Sequence, residues 1–325
     1  MTVQQVCDPA GHVPIRHLRS VRRTSSLDST WPQGRSGLMR MEGRCRDLLT
    51  KEHLGDTVEL RYDQVIANLS DTRIIEQIDQ PRLDLSSLVG AKGGGHLRGV
   101  LDQTIHEERV NGSPLYLLLD DISGASLVSG WAWSRWEKED GPSMREGFEE
   151  RRKFMENVCH GFATGHSPLA STRPPPNNPE VVPLAHPQDD LSWHQLPQTE
   201  GANFRRARYI DINVHDNVMN INVGFQDSAS DPSSARVAIH EYRLHAQADI
   251  EHGVLTSLTA TPHILPFVEC PGAIANISSL IGTRLHEMRT RVIEELPGVK
   301  GCTHLNDVLR GLAEAPILAN FLNSN

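Results

Sequence analysis

The chain has 325 residues, with 32 Lys and Arg against 41 Asp and Glu, and a formal net charge of −9. This acidic balance argues against general nucleic-acid binding, which needs a basic surface to replace phosphate counterions. No apolar run reaches the roughly 18 residues of a membrane span, and the first residues lack the apolar core of a secretory signal. We therefore expect a soluble, cytoplasmic protein with no nucleic-acid partner and no membrane span.

The first half of the chain has the pattern of strands followed by helices. Residues 1–16 show no periodicity and are predicted to be a flexible tail, before a first unit at 17–158. Apolar and polar residues alternate at 38–44 and at 57–66, as they do in half-buried antiparallel strands. A further strand is predicted at 71–78. One helix is then expected from about residue 84, and another near Ser113-Pro114, where serine caps and proline occupies the first turn.

Residues 159–206 interrupt this pattern with a proline-rich insert. Each proline removes a backbone donor and fixes φ, so the segment is unsuited to a helix interior or a central strand. The sequence leaves two readings open, a disordered insert and an ordered lid over a pocket. The lid reading assigns Trp193 and His194 as the residues that hold it in place.

The second unit, residues 207–325, repeats the order of the first. Strands are predicted at 209–214, 236–248 and 253–261, and helices near 271–281, 285–295 and 303–313. Ser86-Ser87-Leu88-Val89-Gly90 also matches Ser278-Ser279-Leu280-Ile281-Gly282. We therefore expect an α+β fold built from two similar units of mainly antiparallel strands followed by helices. A ligand pocket is expected between the two units.

The cysteines indicate buried structural thiols. The chain has five of them, an odd set without a Cys-x-x-Cys pair, which disfavours a disulfide framework. Cys270 and Cys302 each precede a predicted helix, and together with His304 they could supply three metal ligands. No second pair stands at a zinc-finger interval, so we expect no metal site and predict that both cysteines are reduced and buried.

Three familiar catalytic patterns are absent from the sequence. His240 and His245 stand five residues apart on a predicted strand, so they do not form the His-Glu-x-x-His motif of a metalloprotease; on such a strand His240 and Tyr242 share one face. Gly93-Gly94-Gly95 lacks the Gly-Lys-Ser/Thr ending of a phosphate-binding loop. No Gly-x-Ser-x-Gly nucleophile elbow occurs.

Aromatic and arginine residues provide the remaining candidates for a ligand site. Trp131 and Trp133 follow a helix end rich in glycine and serine, a pattern that suits either core packing or a pocket for a bulky apolar ligand. Arg22 and Arg23 precede a run of hydroxyl residues, where they could hold a carboxylate or form a solvated strand face.

Several short blocks carry a resemblance to known proteins. Leu88 to Gly95, Leu118 to Asp121, Glu269-Cys270-Pro271-Gly272-Ala273 and Cys302-Thr303-His304-Leu305-Asn306-Asp307 resemble an uncharacterised bacterial and fungal family known only as a domain of unknown function. The resemblance extends over nearly the whole chain except the first residues and the insert. In length and character the chain is also similar to the norbornene-forming Diels–Alderases of fungal sordarin-type diterpene pathways.

That second resemblance implies a cofactor-independent pericyclase of terpenoid and antibiotic biosynthesis, which closes a cyclopentadiene-bearing terpenoid by an intramolecular [4+2] reaction. Such an enzyme needs a dry cavity that holds the substrate in one orientation and a donor for a conjugated carbonyl. The candidate donors are His304 and Tyr242. The candidate substrate-binding residues are Trp131, Trp133, Tyr116, Arg22, Arg23 and His240.

Two other classes of function stay open at this point. One is a hydrolase, hydratase or isomerase that uses Cys302, His304 and Asp307, with or without a metal. The other is a noncatalytic protein that binds a small molecule. The sequence leaves the exact substrate and the oligomeric state undetermined.

Overall fold

The fold is built on one antiparallel sheet, as seen in a computed structural model that describes residues 6–136, 153–170, 178–233 and 235–322. Its eight strands lie in the order β4-β3-β2-β1-β5-β6-β7-β8, and every neighbouring pair is antiparallel. The strands are β1 Ser20–Thr30, β2 Met39–Thr50, β3 Thr57–Leu69, β4 Ile75–Asp79, β5 Asn203–His215, β6 Val218–Ser230, β7 Arg236–Asp249 and β8 Leu255–Ile264.

Helices follow each set of four strands. They are α1 Gly95–Thr104, α2 His106–Val110, α3 Pro114–Val128, α4 Trp133–Trp136, α5 Met288–Glu295, α6 Thr303–Arg310 and α7 Ala315–Asn320. A 3-10 segment, Cys270–Leu280, follows β8. The predicted α+β class with an antiparallel sheet is confirmed. Within the described residues, no helix is both long and apolar enough to cross a membrane.

Some boundaries differ from those expected from the sequence. The helix expected from about residue 84 begins at Gly95, after a short 3-10 turn at Ser86–Leu88. Gly90 and Gly94 lie between them with φ values of +88° and +118°, a backbone conformation that a helix cannot contain. Ser113 does cap α3, since its side chain accepts a hydrogen bond from the backbone N–H of Tyr116.

The helices cover one face of the sheet, which we call the helix face. Two apolar cores lie there, one beneath the first four strands and one beneath the last four. Leu27 belongs to the first core, and Ile210 and Tyr242 belong to the second. His240 and Tyr242 point to this same face. Their register partners on β6 are Asp227 and Phe225, and Phe225 belongs to the second core, as Tyr242 does.

The opposite face of the sheet is covered by the beginning of the chain and by residues 178–202, which belong to the later part of the proline-rich insert. Trp193 is buried against Val13 and Tyr209. The His194 ring bonds the hydroxyls of Ser26 and Thr24, each at 2.8 Å. This part of the insert is therefore packed on the sheet rather than projecting from it, and residues 171–177 lie outside the described chain.

The predicted flexible tail is likewise attached where it is described. The Val6 carbonyl accepts a hydrogen bond from Leu265, and Asp8 donates one to the His263 carbonyl. Arg16 is buried, and its guanidinium binds Asp189 at 2.8 Å. These three contacts explain why a segment without periodicity still has a fixed position: it is held by the end of β8, by the residue that follows it and by the insert, not by its own secondary structure.

Buried ion pairs occupy the centre of the sheet, where β1 meets β5. Arg22 binds Asp211, and Arg205 binds Asp28. The two partners of each pair stand directly opposite each other in the register of β1 and β5. All four side chains are almost completely buried. Each pair thus joins the first half of the chain to the second.

A second set of ion pairs lies on the helix face. Arg23 binds Asp47 at 2.6 Å and Glu314 at 2.7 Å. Arg206 binds Asp227 at 2.8 Å and Asp307 at 2.8 Å. Arg23 therefore connects β2 to the 3-10 turn Gly311–Glu314 before α7, and Arg206 connects β6 to α6. Such pairs are costly to break, because a buried charge left without its partner has no water to solvate it.

We predict that Arg23→Met lowers the free energy of unfolding by roughly 3–5 kcal/mol, the usual cost of breaking a buried ion pair. The matched control is Arg19→Met, since Arg19 pairs with Glu52 on the surface and both side chains are exposed. That control should change stability little. Urea denaturation of the two variants tests this, and equal losses would contradict a structural role for the buried pairs.

Candidate functional site

Arg22 and Arg23 are already occupied by carboxylates of the protein. Arg22 holds Asp211 and the backbone carbonyls of Pro14 and Ser192. Arg23 is fully buried and holds two carboxylates. Arg22 and Arg23 therefore do not form the predicted anion clamp, because their guanidinium groups already bind carboxylates and backbone carbonyls of the protein.

Tyr242 and Cys302 lie together in the second core. The Tyr242 hydroxyl is 3.6 Å from the Cys302 sulfur, and both side chains are buried. Burial raises the pKa of Cys302 to about 11 and the pKa of Cys270 well above its usual value. Both thiols are free, as the sequence predicts, and they stay protonated and unreactive at neutral pH.

The proposed acid–base set of Cys302, His304 and Asp307 is not assembled as one unit. Asp307 gives one carboxylate oxygen to Arg98 and the other to Arg206. The His304 ring meets His240, Asp227 and the Thr303 hydroxyl instead. The contacts described for the His304 ring therefore do not include a hydrogen bond to the Cys302 thiol or to the Asp307 carboxylate, although the backbone of His304 bonds the thiol and Asp307 acts on the ring through its charge.

Tyr116 and Trp131 are parts of the first core. The Tyr116 hydroxyl donates a hydrogen bond to Asp102 at 2.8 Å, and Arg289 lies over its ring at 4.7 Å from the centroid. Trp131 is partly buried against the same core. Neither residue lines the cavity described below, although both were predicted to form walls of a pocket.

His240 and His304 come together with Asp227 on the helix face. The two imidazole rings stack with centroids 3.4 Å apart and planes inclined by 19°. Asp227 Oδ2 lies 3.4 Å from His240 Nδ1 and 3.8 Å from His304 Nε2. Burial is the main cause that lowers the pKa of each histidine, so both rings are neutral at pH 7.

A cavity with a volume of about 540 Å³ lies beside Trp133. We call it the tryptophan cavity. Trp31 and Trp133 meet edge to face in its wall, with ring centroids 5.5 Å apart. Trp136 completes the aromatic wall and donates its indole N–H to the Ser230 carbonyl. The full lining is Asp28, Thr30, Trp31, Pro32, Arg40, Glu42, Trp133, Trp136 and residues 197–202.

Two residues of this lining have a buried polar atom without a hydrogen-bond partner. They are Trp133, at Nε1, and Asp28, at Oδ2. The other carboxylate oxygen of Asp28 accepts a hydrogen bond from Arg205. Burial raises the pKa of Asp28, and Arg205 opposes that shift. Buried polar atoms are rarely left unpaired, so these two atoms are candidates for hydrogen bonds to a ligand in the tryptophan cavity or to water.

Sequence reasoning found only part of this site. The cluster that contains Trp133 was recognised, but the pairing of Trp31 with it was not, because the two residues are far apart in the chain. Asp28 gave no signal, since an aspartate in an alternating strand is expected on the solvated face. The sequence placed residues 197–202 in the insert without a role of their own. Their position at the cavity depends on how the insert packs on the sheet, which the sequence does not show.

Comparison with known proteins gives one match. Residues 204–318 match a family described as a protein of unknown function, DUF2889. The match runs from β5 to α7 and includes both cysteine blocks. It therefore covers 115 of the 325 residues, all of them in the second half of the chain, and this is a smaller part than the resemblance predicted. No curated protein and no solved structure matches the chain significantly.

We predict that the tryptophan cavity binds apolar dyes and that Thr199→Trp, which would fill it, weakens this binding at least tenfold. The control is Thr259→Trp, at a polar depression lined by Asn220, Asn222 and His245 on another part of the sheet. Fluorescence titration with 8-anilinonaphthalene-1-sulfonate, followed through energy transfer from tryptophan, measures both affinities. An unchanged affinity in Thr199→Trp would show that the dye binds elsewhere.

Proposed function

We propose that the protein binds an apolar terpenoid with a conjugated carbonyl in the tryptophan cavity and promotes its intramolecular [4+2] closure without a cofactor. The observation that carries this proposal is an aromatic-walled cavity with an unpartnered indole N–H in its lining. The reaction class comes from the resemblance to fungal norbornene-forming Diels–Alderases. The substrate class is a cyclopentadiene-bearing diterpenoid of a sordarin-like pathway.

The dimensions of the cavity suit such a ligand. Its volume of about 540 Å³ lies within the range of roughly 300–1,000 Å³ that is typical of small-molecule sites. Trp31, Trp133 and Trp136 provide flat apolar surfaces on which a polycyclic hydrocarbon packs well. These rigid walls would limit the conformations of a flexible substrate to those that bring diene and dienophile together.

A Diels–Alder closure needs no proton transfer and no redox partner. Two new carbon–carbon σ bonds form, two π bonds are consumed, and the remaining diene electrons form a new double bond, so the product is an isomer of the substrate. Orientation alone can supply several kcal/mol of the barrier reduction, up to roughly 7–11 kcal/mol. A cavity that fixes the substrate's conformation and provides one hydrogen-bond donor would therefore be sufficient, without an acid–base pair.

Trp133 is the donor that the geometry favours. A small rotation of its ring would direct Nε1–H to the substrate carbonyl and stabilise the negative charge that develops on that oxygen. His304 and Tyr242, the donors expected from the sequence, are less suitable. His304 contacts other groups outside the cavity lining, and Tyr242 is fully buried against Cys302.

Two charged residues would fix the polar end of the substrate. Arg40 lines the tryptophan cavity and is partly exposed, so it takes the role of anion clamp that Arg22 and Arg23 cannot fill. It is paired with Glu42, which a substrate carboxylate would displace in part. Asp28 would accept a hydrogen bond from a substrate hydroxyl through its free Oδ2.

We further propose that the chain contains two similar units. Residues Arg22 and Asp28 of β1 correspond to Arg205 and Asp211 of β5, and they pair reciprocally, as equivalent residues do across a two-fold axis. The strand order is also symmetrical about the β1–β5 pair. The tryptophan cavity is lined by the first unit and by residues 197–202 of the connecting insert.

The test is turnover of a cyclopentadiene-bearing diterpenoid aldehyde, compared with its spontaneous closure. We expect faster closure and a single stereoisomer with the unaltered protein. Trp133→Phe should slow closure about 10- to 100-fold, the scale of one or two lost charge-stabilising hydrogen bonds, and keep the product ratio because an aromatic wall remains. Trp133→Ala should lose both rate and stereoselectivity.

Trp193→Phe is the matched control. Trp193, like Trp133, has an unpartnered Nε1. It is buried on the side of β5 opposite the helices and does not line the tryptophan cavity. Turnover should be unchanged in this variant. Binding without acceleration would identify a noncatalytic carrier, and equal rates in Trp133→Phe and the unaltered protein would reject Trp133 as the donor.

A further inference from the structure

The cluster of Asp227, His240 and His304 is separate from the tryptophan cavity, whose described lining includes none of these three residues. Asp227 and His240 are register partners on β6 and β7, and His304 lies in the first turn of α6. The three elements meet at the edge of the buried charge network. His304 is about 15% exposed, whereas the other two side chains are buried.

We propose that Asp227, His240 and His304 bind one divalent transition-metal ion, and that zinc suits the ligand set best. Two imidazole nitrogens and one carboxylate are the ligands of many zinc sites that keep a position open for water or substrate. Their three ligand atoms all lie within 4.8 Å of one another, and among the described residues they form the one group of three or more His, Cys, Asp or Glu that could hold a metal ion.

The distances are close to those of a metal-bound state. With bonds of about 2.0–2.2 Å, two ligand atoms of a tetrahedral site lie roughly 3.3–3.5 Å apart. His240 Nδ1 and Asp227 Oδ2 are separated by 3.4 Å. His304 Nε2 lies 3.8 Å from the same oxygen. Because an imidazole lone pair lies in the plane of its ring, the partly exposed His304 ring would have to rotate out of its stack on His240 to direct Nε2 to the same ion.

The contact between His240 and Asp227 is a weak one for two buried polar groups. His240 is 5% exposed, and its Nδ1 lies 3.4 Å from Asp227 Oδ2 without the geometry of a normal hydrogen bond. Asp227 accepts one hydrogen bond from Arg206 on each carboxylate oxygen, which fixes its orientation and leaves lone pairs free on both oxygens.

The surrounding charges determine what would occupy the open position. Arg206 lies behind the Asp227 carboxylate and adds a positive charge near the ion. Asp307 binds Arg206 as well and balances part of that charge. A site with this balance favours hydroxide or a carboxylate as the further ligand, entering from the exposed side of His304.

The full chain is first treated with EDTA, and the chelator is removed. Zinc is then titrated into the protein, and binding is measured by isothermal titration calorimetry. We expect one zinc ion per chain with micromolar or tighter affinity and a rise in melting temperature. His304→Ala and His240→Gln should each weaken binding at least tenfold and abolish the rise. The control is His245→Gln, because His245 is exposed on the opposite face of β7 and bonds Asn222.

X-ray absorption at the zinc edge of the unaltered protein gives a second readout that requires no variant. It should show nitrogen and oxygen ligands with the signature of two imidazoles and no sulfur. Absence of saturable binding, sulfur scattering from the buried cysteines, or unchanged affinity in both folded histidine variants would each overturn the proposal. Because turnover is not measured, the outcome is independent of the function proposed for the tryptophan cavity.

Discussion

The reciprocal ion pairs between β1 and β5 are the constraint on which the rest of the structure depends. Arg22 with Asp211, and Arg205 with Asp28, hold the register of the two strands at the centre of the eight-stranded sheet. A slip by one residue would bury four charges without partners, at a cost larger than the stability of many domains. The position of Asp28 in the wall of the tryptophan cavity follows from this register.

Knowing which buried arginines are already paired also shows which polar groups are left for a ligand. Arg23 and Arg206 have their guanidinium groups bound to two carboxylates each, so these chemically attractive residues contribute to stability. Three buried atoms without hydrogen-bond partners remain of functional interest: Trp133 Nε1, Asp28 Oδ2 and His240 Nδ1. The first two lie in residues of the tryptophan cavity, and the third lies in the proposed metal site.

The α+β class and most strands were predictable because alternation of apolar and polar residues is local, whereas the sites depend on long-range packing. His240 and Tyr242 were correctly placed on one face of a strand. Nothing in the sequence indicated that His304 would stack on His240, because the start of α6 is brought to β7 by the second core. Arg22 and Arg23 resembled a free anion clamp, since their carboxylate partners are distant in the chain.

The most direct test of the central claim is an NMR titration of protein labelled with ¹⁵N at the indole nitrogens of its five tryptophans. The norbornene product of the proposed closure serves as the ligand. The account predicts that the Trp133 indole N–H resonance moves downfield as it forms a hydrogen bond, with smaller shifts for Trp31 and Trp136 and none for Trp193. A saturable ligand that leaves the Trp133 resonance unmoved would contradict it.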